Sequence, residues 1–333
     1  MDFQLPFTIA ASGLELTHAD GIVLTGSCFT EHIGKQLQAG KFPVTLNPQG
    51  IVFNPASMAS GLEAIMSQKR YTEDDIFLLN GTWNSWDFHS AFSETTMDAA
   101  LQAINSSMEA AYKALIEAKV LIVTFGSAYQ YLLRAEYTAQ NVAQGVANCH
   151  KAPGKWFDKV MLSPESLMQQ WKLLVEHLKA FNPGLQIIFT VSPVRHYRDG
   201  LVENNRSKGR LLELAHSLVE RFVYCHYFPA YELLIDILRD YRFYDNDMVH
   251  PNAQAVRYIW DKFCETYVSP ATRQLLHRIG ELNTALQHKE RFPGTAASIA
   301  FRENMLAKVR QLEQEFPALD MSAEVRHFSS IEY

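Results

Sequence analysis

Two short stretches carry side chains suited to covalent chemistry. Gly26-Ser27-Cys28 sets a hydroxyl beside a thiol, and Asp247-Met248-Val249-His250 sets a carboxylate three residues before an imidazole. A carboxylate at that spacing can accept the imidazole Nδ1 proton within one tight loop and fix the tautomer. The other ring nitrogen is then free to act as a general base. Ser27 or Cys28 is the nucleophile in this arrangement, since either needs a nearby base or a lowered pKa to react at neutral pH. Each stretch also has a plain structural reading. Small residues after a strand cap helices, and an Asp and a His suit a capping loop.

Three further clusters are polar in the same way. Asn148-Cys149-His150-Lys151 either lines a site or forms a polar loop. With Asp247 and His250 it would make a mixed metal site, but spacing of the HExxH kind is absent, so neither a metal nor a cofactor is expected. Arg195 and His196 follow a strand-like run and suit contact with an anionic or sugar substrate, or else form a surface basic pair. Asp87 and His89 sit among Trp83 and Trp86, which suit carbohydrate stacking or simple packing.

The elements that must position these residues alternate in type. Ile22 to Thr25 reads as a buried strand, followed by a tight turn and a helix with Ile33 and Leu37 on one face. Helix starts and amide donors favour negative charge, either a thiolate or a developing oxyanion. Helices are expected over 56–68 and 95–118, and Val120 to Phe125 reads as a second buried strand. Residues 127–160 read as irregular. Ser163-Pro164-Glu165 opens a helix to about Phe181, Leu185 to Val191 is a third buried strand, and Asn204 to Phe222 is helical. A short strand over 223–228 and a helix over 252–267 complete the pattern. This alternation predicts a three-layer α/β/α fold with a mainly parallel sheet, whose ligands bind at the carboxyl ends of the strands. A domain over 1–268 is expected to carry a helical extension over 269–333, with two helical stretches separated by Phe292-Pro293-Gly294.

Composition excludes several classes. The chain has 333 residues, 47% hydrophobic and 20% charged, which suits a globular protein with a full core. A net charge of −6 argues against a nucleic-acid partner, and basic runs such as Lys208-Gly209-Arg210 are too short to reverse that. No run of about eighteen apolar residues suggests a membrane span, and no leader pattern opens the chain, so a cytoplasmic location is expected. The cysteines Cys28, Cys149, Cys225 and Cys264 are dispersed, which disfavours a disulfide scaffold or zinc site, and Cys225 and Cys264 read as small buried hydrophobes.

GSCF at 26–29, NPQGIVFNP at 47–55, FGSAYQY at 125–131, NCHK at 148–151, SPVRH at 192–196 and DMVHPN at 247–252 together resemble the bacterial GSCFA family. More broadly, the order of a Gly-x-nucleophile turn and a late Asp-x-x-His resembles the SGNH (GDSL-like) hydrolases. The likeness covers 20 to about 265. It implies a flavodoxin-like sheet, ester or acyl-group hydrolysis, and an oxyanion hole made by the nucleophile's amide, a second-block glycine and an asparagine. Gly50 and Asn54 fall in the second block. Gly126-Ser127-Ala128-Tyr129 lacks the third-block asparagine, which leaves Asn148 for that role. Aligning Gly26 with the first-block glycine sets Cys28 at the nucleophile, and a shift by one sets Ser27 there.

The expected activity is therefore hydrolysis of a small-molecule or carbohydrate ester, including deacetylation, through an acyl-enzyme. The alternatives are a glycan- or acyl-ligand-binding protein on the same fold, or an acyltransferase. The helical extension offers a surface for a homo-oligomer.

Overall fold

The computed structural model describes residues 6–288, 291–292 and 294–329. Five strands form a parallel sheet: β1 (Ile22–Gly26), β2 (Val44–Leu46), β5 (Val120–Phe125), β9 (Gln186–Val191) and β10 (Cys225–Tyr227). Their order across the sheet is β10-β9-β5-β1-β2. Counting these strands alone, that is the 2-1-3-4-5 flavodoxin-like order, which reverses between β1 and β5 and opens a crevice at their carboxyl ends.

The strands read as unbroken apolar runs because both faces are covered. Val23, Leu121, Val123, Ile187 and Phe189 point into one core, shared with α2 (Pro55–Met66), α3 (Met97–Glu117), α4 (Pro164–Phe181) and α5 (Leu201–Arg221). Their alternates Ile22, Leu24, Val120, Ile122 and Ile188 point into the other, shared with α1 (Cys28–Ala39) and α7 (Ala253–Tyr267). Between β10 and α7 the chain passes through a short α6 (Ala230–Glu232) that widens into a π-turn over Leu233–Leu238. The three-layer α/β/α expectation holds.

Residues 127–160 depart from the irregular reading. They form an antiparallel sheet in the order β7-β6-β8, from β6 (Tyr129–Leu133), β7 (Gln144–Val146) and β8 (Phe157–Met161). Their side chains are mostly half-buried or exposed, so no apolar run announces them, and strand pairing supplies what pattern does not. A hairpin, β3 (Phe77–Leu79) and β4 (Thr82–Asn84), lies in the aromatic stretch before α3.

Among the described residues the tail folds as three helices rather than two: α8 (Pro270–Leu286), α9 (Ala296–Glu315) and α10 (Ser322–Ser329). The break expected at Phe292-Pro293-Gly294 falls partly outside the described residues, since Pro293 is not among them. These helices share a core of their own around Leu275, Ile279, Val309, Leu312 and Phe328. They grip the end of α1 through a 2.7 Å ion pair between Lys41 and the buried Glu324, and through Asn283, whose amide donates to the Ala39 carbonyl at 2.8 Å. No helix among the described residues is long and apolar enough to cross a membrane.

Candidate active site at the sheet's carboxyl rim

The β1–α1 turn is built on a glycine that nothing else can replace. Gly26 has φ +152°, and a Cβ there would lie 2.6 Å from the Thr124 carbonyl oxygen. Its N–H donates to Asn47 Oδ1 at 3.0 Å, which ties the turn to the end of β2. Ser27 is the N-cap of α1: it is 3% exposed and its Oγ accepts the Phe29 N–H at 3.3 Å. Cys28, the first residue of the helix, is half-buried. Burial pushes its thiol up from the ordinary value, while the backbone amides of Phe29 and Cys28 and the charge of Lys208 pull it down. Thus the hydroxyl has a structural task, and the thiol faces the donors of the helix start.

On the far side, the loop before α7 closes on itself. The Asp245 N–H donates to the His250 carbonyl at 2.8 Å, and Tyr244 pairs with Pro251. Inside it, Asp247 Oδ1 accepts the N–H groups of Val249 at 2.9 Å and His250 at 3.0 Å, and Oδ2 lies 2.6 Å from His250 Nδ1. Those contacts, the His250 amide first, hold the Asp247 carboxyl down to about 2. An ionised carboxylate on Nδ1 selects the tautomer that carries its proton there, leaving Nε2 as the basic atom. Among the described residues Nε2 has no hydrogen-bond partner, and neither Ser27 nor Cys28 is hydrogen-bonded to His250.

A further residue comes from the short basic run Lys208-Gly209-Arg210. Lys208 is 1% exposed, and its Nζ donates to the carbonyls of Gly126 and Ser192, both at 2.7 Å. Burial lowers it to about 7, while Cys28 acts in the opposite sense. Arg210 of the same run turns inward too, with Nη1 donating to the Met161 carbonyl at 3.2 Å and also to that of Leu162. Helical spacing held the signal: Asn204, Ser207, Lys208, Leu211 and Ala215 share the buried face of α5.

His196 and His32 border the same corner. His196 lies 5.4 Å from the Phe53 ring, and burial first, then Lys208, lowers it to about 4. The charge of His250 acts on it as well. His32, four residues after Cys28 on α1, is also lowered, mainly by burial, with smaller effects from Lys35 and His250 and opposing ones from Glu31 and Asp245. Its i+4 spacing from Cys28 was a readable signal.

The remaining candidates fall in several places. Gly50 has φ +74°, donates its N–H to the Asn47 carbonyl at 2.7 Å, and abuts His89. Asn54 caps α2, accepting the Ser57 N–H at 2.8 Å and donating to Ser57 Oγ at 3.0 Å. Asn148 Oδ1 accepts the His150 N–H at 2.8 Å, and His150 is buried against Phe77 and Trp86 with Nε2 2.8 Å from the Ser85 carbonyl. The NCHK stretch therefore packs against the aromatic stretch before α3. Among the described residues no three His, Cys, Asp or Glu side chains are grouped to hold a metal ion. Arg195 stacks over Tyr244 at 4.7 Å and Tyr241 at 5.3 Å, beside a hollow of about 310 Å³ behind the Asp247–His250 loop.

The two parts are linked through the charges that act between them: Cys28 with Lys208, His196 with Lys208 and His250, and His32 with His250. No curated protein matches the chain. A family model described as the GSCFA family matches residues 21–263, which includes every group named at this rim, and one described as the C-terminal domain of GSCFA domain proteins matches 279–331. The chain belongs to the GSCFA family.

Proposed function

We propose that this protein is a hydrolase of the SGNH type that cleaves ester bonds, with Cys28 as nucleophile, His250 as general base and Asp247 as its orienting carboxylate. The observation that carries this reading is the grip of Asp247 on His250. Asp247 Oδ1 takes the Val249 and His250 amides at 2.9 and 3.0 Å, Oδ2 holds the imidazole Nδ1 at 2.6 Å, and among the described residues Nε2 has no hydrogen-bond partner. Cys28 is favoured over Ser27 because the serine hydroxyl is buried and caps α1.

The thiolate attacks the ester carbonyl, and the negative oxygen that develops is met by amides at the start of α1. His250, carrying the proton from the thiol, gives it to the leaving alcohol as the thioester forms. A water then yields its proton to Nε2, attacks the thioester and releases the acid, and the thiol is restored. Base and nucleophile come within proton-transfer distance in the substrate complex, where such hydrogen bonds tighten. The substrate class is a small-molecule or carbohydrate ester.

Turnover of p-nitrophenyl acetate by wild type, Cys28→Ala and His250→Ala tests the proposal. Both variants are expected to lose activity, and equal rates in all three proteins would sink it. The missing hydrogen bond between His250 and either nucleophile favours one second reading, a protein that binds an acyl or glycan ligand without turning it over. Absence of turnover together with saturable binding of an acylated sugar would support that reading. Ester products formed in the presence of added alcohols would instead mark an acyltransferase.

A further inference from the structure

We propose that the cavity between α2, α4 and the β6–β7 strands binds a neutral, polyhydroxylated ligand, a short oligosaccharide held by glutamine amides. Its volume is about 670 Å³, within the roughly 300–1,000 Å³ of small-ligand sites. Five glutamines line it from four places in the chain: Gln49 after β2, Gln130 on β6, Gln144 on β7, and Gln169 and Gln170 on α4.

Two of these side chains are seated where glycines leave room. A Cβ on Gly61, inside α2, would lie 1.6 Å from Gln49 Oε1, and one on Gly145, in β7, would lie 2.1 Å from Gln130 Nε2. Glycine weakens both a helix interior and a strand, so at each place local stability is given up to seat an amide against the cavity. The amides also have bonding capacity left over. Gln49 is buried, and its Nε2 donates to the Asp87 carbonyl at 3.2 Å, while Gln170 Nε2 donates to the Ala56 carbonyl at 3.5 Å. Among the described residues no hydrogen bond uses the Oε1 of either, or the side-chain amides of Gln130, Gln144 and Gln169. Each amide offers an acceptor beside two donors, which matches neighbouring sugar hydroxyls, and Leu162 and Leu173 add apolar surface for sugar C–H groups.

The walls disfavour other ligands. Asp87 is the one carboxylate among the lining residues, and it is matched by Lys69 at 3.4 Å and the Tyr71 hydroxyl at 3.1 Å. The described lining residues include no lysine, arginine or histidine to hold an anion. A peptide strand is disfavoured too, although β7 is the edge of its sheet. The Val146 carbonyl accepts the Ser57 hydroxyl and the Ala147 N–H donates to the Trp86 carbonyl, so backbone that strand addition would use is already taken. The cavity shares α2 with the catalytic rim. Phe53, whose ring lies 5.4 Å from His196, precedes the helix cap, and Ala56 and Ser57 in the first turn line the cavity.

The inference does not rest on the esterase reading. Exposure of the full chain to an array of neutral and acidic oligosaccharides, followed by calorimetric titration of the best-retained glycan, tests it. Neutral glycans are expected to be retained and acidic ones to be lost in washing. Gln130→Ala and Gln169→Ala should each weaken binding about fivefold. Gly145→Ala should do the same by displacing the Gln130 amide. Gln169 is exposed, so its variant keeps the measurement available should either of the others fail to fold. Retention of acidic glycans only, retention of none, binding unchanged in the folded variants, or tighter binding of a tetra-alanine peptide overturns the proposal. Glycan binding without p-nitrophenyl acetate turnover would defeat the esterase reading alone, and turnover without glycan binding would defeat this inference alone.

Discussion

Cys28 and Cys149 both have histidines in their neighbourhood, and the two surroundings differ in almost every physical respect. Cys28 opens a helix at the end of a buried parallel strand, with amide donors beside it and the charge of Lys208 acting on it. Cys149 packs among Trp86, Tyr131 and Trp156, and burial pushes its thiol up to about 11. The histidines differ likewise. His250 holds a carboxylate on Nδ1, while His150 meets the Ser85 carbonyl through Nε2 and leaves Nδ1 buried without a partner. Burial raises both thiols, but at the sheet rim two backbone amides and the charge of Lys208 oppose it, whereas at Cys149 only the charge of Lys159 does.

The largest expected difference is in turnover. Cys28→Ala should lower kcat/KM for p-nitrophenyl acetate on the order of a thousandfold, and Cys149→Ala by less than about twofold. A comparable loss from both would break the contrast. Backbone demands differ next. Gly26→Ala should destabilise the protein by about 3 kcal/mol in urea unfolding, because its Cβ meets backbone at positive φ. Gly154→Ala, just before β8 and with nothing within 4 Å of its Cβ, should stay within about 0.5 kcal/mol of wild type.

Packing separates the regions again. Trp86 stacks on Phe77 at 3.8 Å and meets Phe157 and His150 edge-on. Trp86→Ala should therefore lower stability by about 2 kcal/mol while Cys28 alkylation changes less than twofold. A matching fall in alkylation would mean that the two regions are coupled. The last contrast concerns acid. Burial, then Lys208, pushes His196 down from 6.5 to about 4, so between those values the folded state binds fewer protons. Its contribution is favourable above pH 6.5 and is lost as pH falls through 6.5 toward 4. His196→Asn should flatten the acid side of the stability profile across that window. An unchanged slope would remove His196 from the rim's pH response.

Legibility followed the range of the interactions. Strands β1, β5 and β9 were readable because burial on both faces makes them continuous apolar runs, and helix starts at Ser163 and Asn252 were readable from their own caps. The β7-β6-β8 sheet was not, since its half-exposed strands owe their form to partners distant in sequence. The short α10 was likewise missed. It has eight residues, and its Phe328 is buried in a core shared with α8 and α9.

The strand–turn–helix at Gly26 and the clamp of Asp247 on His250 were determined by sequence alone, because each is closed by contacts spanning two or three residues. Only the tertiary structure buried Ser27 and left Cys28 half-buried, since strand pairing and helix packing decide which atoms are covered. It alone carried Lys208 inward, across 82 residues to Gly126. A lysine in sequence reads as a surface charge. It becomes an interior one here because two strand ends converge to offer carbonyls, and no local pattern encodes where strands end in space.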